Sequence, residues 1–194
     1  WTTKYNYVAY ILPYIEQGGI ARMYDVNATY TAAVNATAIM QKVNVLHCPS
    51  VPGSAQRTTA NDYPVSDGIN SSAATLMGVS GSITCSATQL FGNADSIGFF
   101  VCGDKPTRVA QVTDGLSNTF LLFEDAGRPQ YWVSKRLQNV TGGTNDVWAD
   151  PANRITVQTR CGETAVNCNN NNEIYSFHGN AAMYAFGDGS IKLI

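Results

Sequence analysis

The chain has 194 residues, of which 44% are hydrophobic and 13% are charged, and its formal net charge at pH 7 is -2. Soluble domains usually carry about 25% charged residues, so uncharged side chains supply most of the polar surface here. Lysine and arginine form no cluster, which argues against nucleic acid or an anionic membrane surface as a partner. No stretch reaches the roughly 18 consecutive apolar residues of a transmembrane helix.

The first part of the chain is predicted to be helical. Two short helices are expected in 7–17 and 20–24, with Gly18-Gly19 between them and Pro13 tolerated in a first turn or at a kink. In 31–43, apolar residues recur at spacings of three and four, which predicts a third helix.

The rest of the chain is predicted to be rich in β-strands. Short apolar runs bounded by Gly, Asn, Asp and Pro predict strands at 45–48, 97–101, 119–123, 131–133 and 182–186. The polar segments around 50–96 and 134–172 are long for connections, so we expect insertions that carry surface features rather than core. The pattern predicts one α+β domain over 1–194, with a helical part in 1–44 and a β-rich part in 45–194.

The five cysteines show no Cys-x-x-Cys pair and no nearby histidine at a zinc-binding spacing, so thiolate ligation of a metal is not predicted. Cys161 and Cys168 bracket a short polar loop, and Cys85 and Cys102 bracket another segment. Two local disulfides in an oxidising compartment would explain this pattern, and five reduced, buried thiols are the alternative. Cys48 is left over, either as a free buried thiol or with a partner on a missing segment or another chain.

The end of the chain predicts a β-hairpin. Side chains alternate in character over 182–186 and 190–194, with Asp188-Gly189 between them. Aspartate and glycine both accept the positive φ that a type I′ turn requires. His178 enters the first strand ten residues before Asp188, so the two cannot form a catalytic pair within one hairpin. We expect His178 to bond a neighbouring loop or carboxylate.

A second compact motif lies in 112–124. Asp114-Gly115 followed by Ser117-Asn118 supplies short side chains that bond backbone amides, which is typical of a tight turn leading into a strand. Asp114, Asn118 and Glu124 also offer the hard oxygen ligands that calcium prefers. Their spacing matches no known calcium loop, so a turn is the preferred interpretation.

No enzyme site is predicted. Ser117, His178 and Glu124 could be nominated as a Ser-His-acid set, but no Gly-x-Ser-x-Gly motif surrounds the serine. Tyr131-Trp132 and Trp148 could line a sugar-binding surface, although tryptophans more often belong to a core or an interface.

Four blocks in chain order point to a family. They are Leu12-Pro13-Tyr14-Ile15-Glu16-Gln17 with Met23-Tyr24-Asp25, Cys48-Pro49-Ser50, Asp114-Gly115-Leu116-Ser117-Asn118-Thr119 with Glu124, and His178 followed after nine residues by Asp188-Gly189. Together they resemble the type IV pilin-like, or pseudopilin, proteins of planctomycete-type bacteria.

The resemblance implies a leader peptide, a long hydrophobic N-terminal helix and a globular head with an antiparallel sheet. The leader and the helix are not in this sequence, so we expect that they were removed or never present. Members of the family often carry a cysteine near the end of that helix, which would offer Cys48 a partner. The residues of the motif blocks, among them His178 and Asp188, are expected to be structural.

The resemblance predicts a structural, self-associating subunit, extracellular or in the cell envelope of a bacterium, as in filaments or secretion systems. Its partners would be itself or other pilin-like subunits, with membrane contact only through the missing helix. No cofactor is expected, with calcium as the one option. The alternative function is an extracellular binding module, supported by calcium and directed at carbohydrate.

Overall fold

The computed structural model describes residues 6–76, 83–84, 108–141, 146–159, 161 and 164–194. The helices in these ranges are short: α1 (Val8–Ile11), α2 (Gly18–Met23), α3 (Ala36–Ile39) and α4 (Ser71–Leu76). The strands are β1 (Val65–Ile69), β2 (Ile83–Thr84), β3 (Phe120–Phe123), β4 (Gln130–Val133), β5 (Arg136–Thr141), β6 (Arg154–Val157), β7 (Met183–Phe186) and β8 (Ile191–Leu193).

The strands form three small sheets. Their orders are β2-β1-β6, β3-β7-β8 and the hairpin β4-β5. Neighbouring strands are antiparallel except β1 and β6, which run parallel. Short helices beside mainly antiparallel sheets confirm the predicted α+β class.

The helical part packs around Trp148, which is fully buried. The two short helices predicted before residue 25 are confirmed as α1 and α2, and a 3-10 turn, Leu12–Ile15, places Pro13 in its first positions. None of the helices that the structure describes is long and apolar enough to cross a membrane.

The predicted third helix is shorter than expected, because α3 covers only the centre of 31–43. The buried side chain of Asn35 accepts a hydrogen bond from the Asp25 N–H at 2.7 Å and donates to the carbonyls of Asp25 and Thr29 at 3.0 Å each. These bonds hold the loop before the 3-10 turn Ala33–Asn35, which leads directly into α3, since an asparagine side chain competes with the helical backbone pattern.

The strand predictions at 119–123, 131–133 and 182–186 are confirmed by β3, β4 and β7. The prediction at 97–101 lies outside the described residues. The prediction at 45–48 is wrong, because Asn44–Leu46 forms a 3-10 turn. The backbone here bonds Asp62 instead of a strand: the Cys48 N–H donates to the Asp62 carboxylate at 2.7 Å, and the Asp62 N–H donates to the Leu46 carbonyl.

The prediction that 50–96 and 134–172 carry surface features rather than core is wrong for their described parts. The first segment contains β1, and the second contains β5, β6 and the fully buried residues Trp148 and Ile155. The parallel pairing of β1 with β6 joins the two segments in one sheet. The polar, Asn-rich flanks of these strands conceal them in the sequence.

The C-terminal hairpin forms as predicted, but its turn differs. Of the two turn residues Asp188 and Gly189, only Gly189 has positive φ (83°). The Asp188 carboxylate accepts a hydrogen bond from the Ser190 N–H at 2.9 Å. A three-residue loop that ends on a left-handed glycine is the common alternative to type I′. The type I′ pattern occurs instead at Ser134-Lys135 between β4 and β5, with φ of 45° and 63°.

Gly127 is a position where alanine should be costly. Its φ is 100°, and an added Cβ would lie 3.0 Å from the Trp132 ring and 3.2 Å from Phe177. We expect Gly127→Ala to lower the free energy of unfolding by about 1–3 kcal/mol, measured by guanidinium denaturation.

Gly189→Ala provides the matched control, because Gly189 also has positive φ (83°) and an added Cβ there meets nothing within 4 Å. It should lose about 1 kcal/mol, from backbone strain alone. Equal losses at the two positions would show that crowding against Trp132 and Phe177 contributes nothing.

Candidate functional site

Three side chains from distant parts of the sequence meet at one point. Cys48, Glu124 and His178 each offer a ligand atom, and these atoms all lie within 4.8 Å of one another. His178 Nε2 lies 3.5 Å from Cys48 Sγ and 3.5 Å from Glu124 Oε1. We call these three residues the Cys-Glu-His cluster.

Local backbone contacts place each member. Cys48 follows the 3-10 turn and is held through its N–H by the Asp62 carboxylate. Glu124 directly follows β3, where its N–H donates to the Met183 carbonyl and its Oε2 accepts from the Met183 N–H at 2.9 Å. His178 precedes β7, and its N–H donates to Ser176 Oγ at 3.0 Å. The β3–β7 pairing therefore brings Glu124 to the histidine.

The cluster is closed on the protein side and open on the side of the imidazole. Cys48 and Glu124 are fully buried, whereas the His178 side chain is 32% exposed. The second ring nitrogen of His178, Nδ1, lies 3.4 Å from Ser50 Oγ. Glu124 Oε1 has no hydrogen-bond partner. His178 is therefore the member of the cluster that is in contact with solvent.

The electrostatics of the cluster do not favour a nucleophilic cysteine. Burial raises the pKa of the Cys48 thiol to about 11, and the Glu124 carboxylate adds to this rise. Because the thiolate is the reactive form, a free thiol with this pKa is a poor nucleophile at neutral pH. A Cys-His pair of the protease type needs the opposite shift, so the geometry resembles a ligand set more than a catalytic one.

A layer of buried charge lies next to the cluster. The Asp62 carboxylate forms a buried ion pair with the Arg57 guanidinium and also accepts from the Gly127 N–H at 3.1 Å. Asp125 pairs with Arg128 Nε at 3.2 Å. Burial raises the pKa of Asp125 well above its ordinary value, and Arg128 opposes that rise. The Asp62 carboxylate thereby holds the backbone at Cys48 and at Gly127.

The structure separates the residues proposed for calcium. Asp114 and Asn118 are exposed around the 3-10 turn Leu116–Asn118, where Asn118 Nδ2 donates to the Asp114 carbonyl at 2.9 Å. Gly115 has a positive φ of 85°, as the turn interpretation requires. Glu124 is instead fully buried beside His178. Calcium binding by these residues stays a prediction.

The Ser-His-acid set is only partly brought together. His178 and Glu124 are neighbours, but the third member of their cluster is Cys48. Ser117 lies on the exposed turn. Asp188 and Gly189 are exposed at the hairpin tip, where Asp188 bonds the local backbone.

The cysteines divide between a disulfide and a free thiol. Cys161 and Cys168 are joined in a disulfide, and Cys48 is free and buried. Cys85 and Cys102 lie outside the described residues. A disulfide fits an oxidising compartment such as the cell exterior.

The aromatic residues suggested for sugar binding lie mostly in the interior. Trp148 is fully buried and its Nε1 donates to the Gln41 carbonyl at 3.2 Å, while Trp132 is 7% exposed and packs edge-on against Phe177. Neither tryptophan can present its face to a glycan. Tyr131 alone is partly accessible.

Sequence reasoning missed Cys48 as a partner of Glu124 and His178. Spacing rules for metal sites look for ligands that are close in sequence, and Cys48 and His178 are 130 residues apart. The available signal was the motif blocks, since Cys48-Pro49-Ser50, Glu124 and His178 all belong to them.

A comparison with family models matches residues 1–194 to a family described as "Protein of unknown function (DUF1559)". Comparisons with curated proteins and with solved structures gave no significant match.

Proposed function

Because the chain belongs to the DUF1559 family, the planctomycete-type pilin-like proteins, we propose that it is a structural, self-associating subunit of the cell surface or envelope. The proposal goes beyond family membership in assigning assembly as the function. It places the protein among extracellular subunits that resemble pseudopilins, with other copies or related subunits as partners.

The observation that carries the proposal is the edge strand β8. It pairs with β7 on one side, and in the described part of the chain no strand pairs with its other side. Ile191, Leu193 and Ile194 are 65%, 57% and 56% exposed. An exposed apolar edge strand is a ready template for pairing with another chain.

The charged residue of β8 is not placed to protect the strand edge from pairing with another chain. Lys192 is its one charged residue, and its ammonium lies 4.3 Å from the centroid of the Phe186 ring on the neighbouring strand. Edge lysines usually protect a strand by projecting into solvent where another strand would dock. Here the cation–π contact draws the ammonium back over its own sheet.

The test compares the wild-type protein from its native source with two variants expressed in the same host. Ile191→Lys places a charge on the β8 edge, and Val109→Lys places the same charge on a similarly exposed apolar residue (61%) outside the sheet that contains β8. Sedimentation velocity over a concentration series and electron microscopy report on assembly. We expect ordered polymers or oligomers for wild type and Val109→Lys, and a shift towards monomer for Ile191→Lys.

A wild-type protein that stays monomeric at every concentration would contradict the proposed function. Assembly that survives Ile191→Lys would show that the subunits associate through another surface. Circular dichroism and thermal denaturation of both variants establish that the substitutions leave the fold intact.

A further inference from the structure

We propose that Cys48, Glu124 and His178 form a zinc-binding site with one coordination position open to solvent. The donor set of one thiol sulfur, one imidazole nitrogen and one carboxylate oxygen suits Zn²⁺, which binds cysteine, histidine and acidic side chains. Calcium and magnesium prefer oxygen ligands throughout, so the sulfur and nitrogen argue against them. Binding of the metal releases the thiol proton to solvent, and the thiolate becomes the ligand.

Two of the three distances between the donor atoms match a tetrahedral zinc site, and all three atoms lie within 4.8 Å of one another. Bonds of about 2.3 Å to sulfur and about 2.0–2.1 Å to nitrogen and oxygen place neighbouring donors about 3.4–3.6 Å apart in a tetrahedron. His178 Nε2 lies 3.5 Å from Cys48 Sγ and 3.5 Å from Glu124 Oε1. The separation between the nitrogen and the oxygen is too long for a strong hydrogen bond. His178 Nε2 thus lies at zinc-site spacing from each of the other two donors.

A buried carboxylate oxygen that, among the described residues, meets only the His178 imidazole, at 3.5 Å, and the neighbouring Cys48 thiol supports a cation at this point. Glu124 is fully buried, its Oε2 accepts from the Met183 N–H, and its Oε1 accepts no hydrogen bond. A buried carboxylate oxygen without a hydrogen bond of normal length is costly. The nearby guanidiniums of Arg57 and Arg128 pair with Asp62 and Asp125 instead. In the described part of the chain, Glu124 has no lysine or arginine partner, and a divalent ion would supply the missing positive charge.

Surrounding groups form hydrogen bonds that hold the three ligands in place, as is usual in zinc sites. Ser50 Oγ lies 3.4 Å from His178 Nδ1, where it can accept a hydrogen bond from Nδ1–H in the tautomer that leaves Nε2 free for the metal. The Asp62 carboxylate fixes the Cys48 backbone, and the Met183 N–H fixes the second oxygen of Glu124. Each ligand is thus oriented before any metal arrives.

The three protein ligands and the partial exposure of His178 indicate an exchangeable zinc site rather than a structural one. Three protein ligands leave a fourth position on a tetrahedral zinc ion, and His178, whose side chain is 32% exposed, is the member of the cluster that solvent reaches. Structural zinc sites usually have four protein ligands, whereas three ligands and a water allow exchange. The site would join segments 130 residues apart in sequence and still accept an external oxygen, nitrogen or sulfur donor.

The experiment uses the protein after chelator treatment and dialysis, with Zn²⁺ as the ligand and Co²⁺ as the spectroscopic probe. We expect one bound zinc per chain, and a rise in Tm of about 5–10 °C at free Zn²⁺ near 100 times Kd. Co²⁺ should give a thiolate charge-transfer band that Cys48→Ser removes. Ca²⁺ should leave the Tm unchanged.

Four variants separate ligation from folding. His178→Gln should abolish stoichiometric zinc binding, and Ser50→Ala should weaken it by about 10–100-fold. Glu124→Gln keeps the size of the side chain and should also reduce affinity. His47→Gln removes the other histidine, which is buried outside the cluster, and should retain the zinc and the cobalt band.

The proposal is overturned if wild type binds no zinc, or if His178→Gln binds it with the same affinity. It is also overturned if the cobalt spectrum lacks a thiolate band, or if thiol labelling of the unfolded protein shows Cys48 blocked in a disulfide. Circular dichroism establishes that each variant is folded before its metal binding is compared.

Discussion

Replacing Asp62 with alanine is expected to lower the free energy of unfolding by about 3–5 kcal/mol. The Asp62 carboxylate is fully buried and pairs with the buried Arg57 guanidinium. It also accepts hydrogen bonds from the N–H groups of Cys48 and Gly127, at 2.7 Å and 3.1 Å. Asp62→Ala leaves one charge and two backbone donors buried without this acceptor, which is why the loss should be large.

Guanidinium denaturation followed by circular dichroism measures this loss. Asp114→Ala is the control, because Asp114 is exposed, and it should change stability by no more than about 0.5 kcal/mol. The double variant Arg57→Met with Asp62→Leu should recover part of the loss, since it removes both charges together. If Asp62→Ala costs no more than Asp114→Ala, the buried pair does not stabilise the fold.

Trp148→Ala should destabilise the protein by a similar amount, about 3–5 kcal/mol. The Trp148 side chain is fully buried in the cluster that includes Val8 and Leu12, and its ring centroid lies 5.6 Å from that of Tyr24. Alanine would leave a cavity and remove the donor to the Gln41 carbonyl. Thermal and chemical denaturation measure the loss.

Two further variants serve as controls for Trp148→Ala. Trp148→Phe keeps a ring and should lose less than Trp148→Ala. Tyr14→Ala removes an aromatic side chain that is 86% exposed, so it should stay within about 0.5 kcal/mol of wild type. A loss at Trp148 as small as at Tyr14 would mean that this core tolerates a large cavity.

Local signals predicted the parts of the fold that local contacts stabilise. The terminal hairpin follows from the alternation of its side chains and from Asp188-Gly189, and β3 follows from a short apolar run. The strand predicted at 45–48 fails because Asp62 bonds that backbone, a contact that sequence pattern does not contain. β6 was hidden because its four residues, Arg154–Val157, lie in a polar, Asn-rich segment.

The sequence indicated the individual residues of the candidate site but not that they lie together. Glu124 and His178 stood out through the motifs that contain them, and Cys48 stood out as the odd cysteine. Their meeting depends on the β3–β7 pairing and on the loop that Asp62 holds, so it needs the tertiary structure. The residues predicted for calcium include two on an exposed turn, where neither burial nor an unpaired oxygen marks a ligand site.

The position of Trp148 also constrains when the protein can fold during its synthesis. The core around α1 and α2 includes this residue, and the Asn6 side chain donates to the carbonyls of Asp150 and Asn153. At about 5–20 residues per second, a ribosome that has made the helical part needs roughly 5–20 s more to reach Trp148. Throughout that interval the apolar residues of α1 and α2 lack the tryptophan around which they pack in the folded protein.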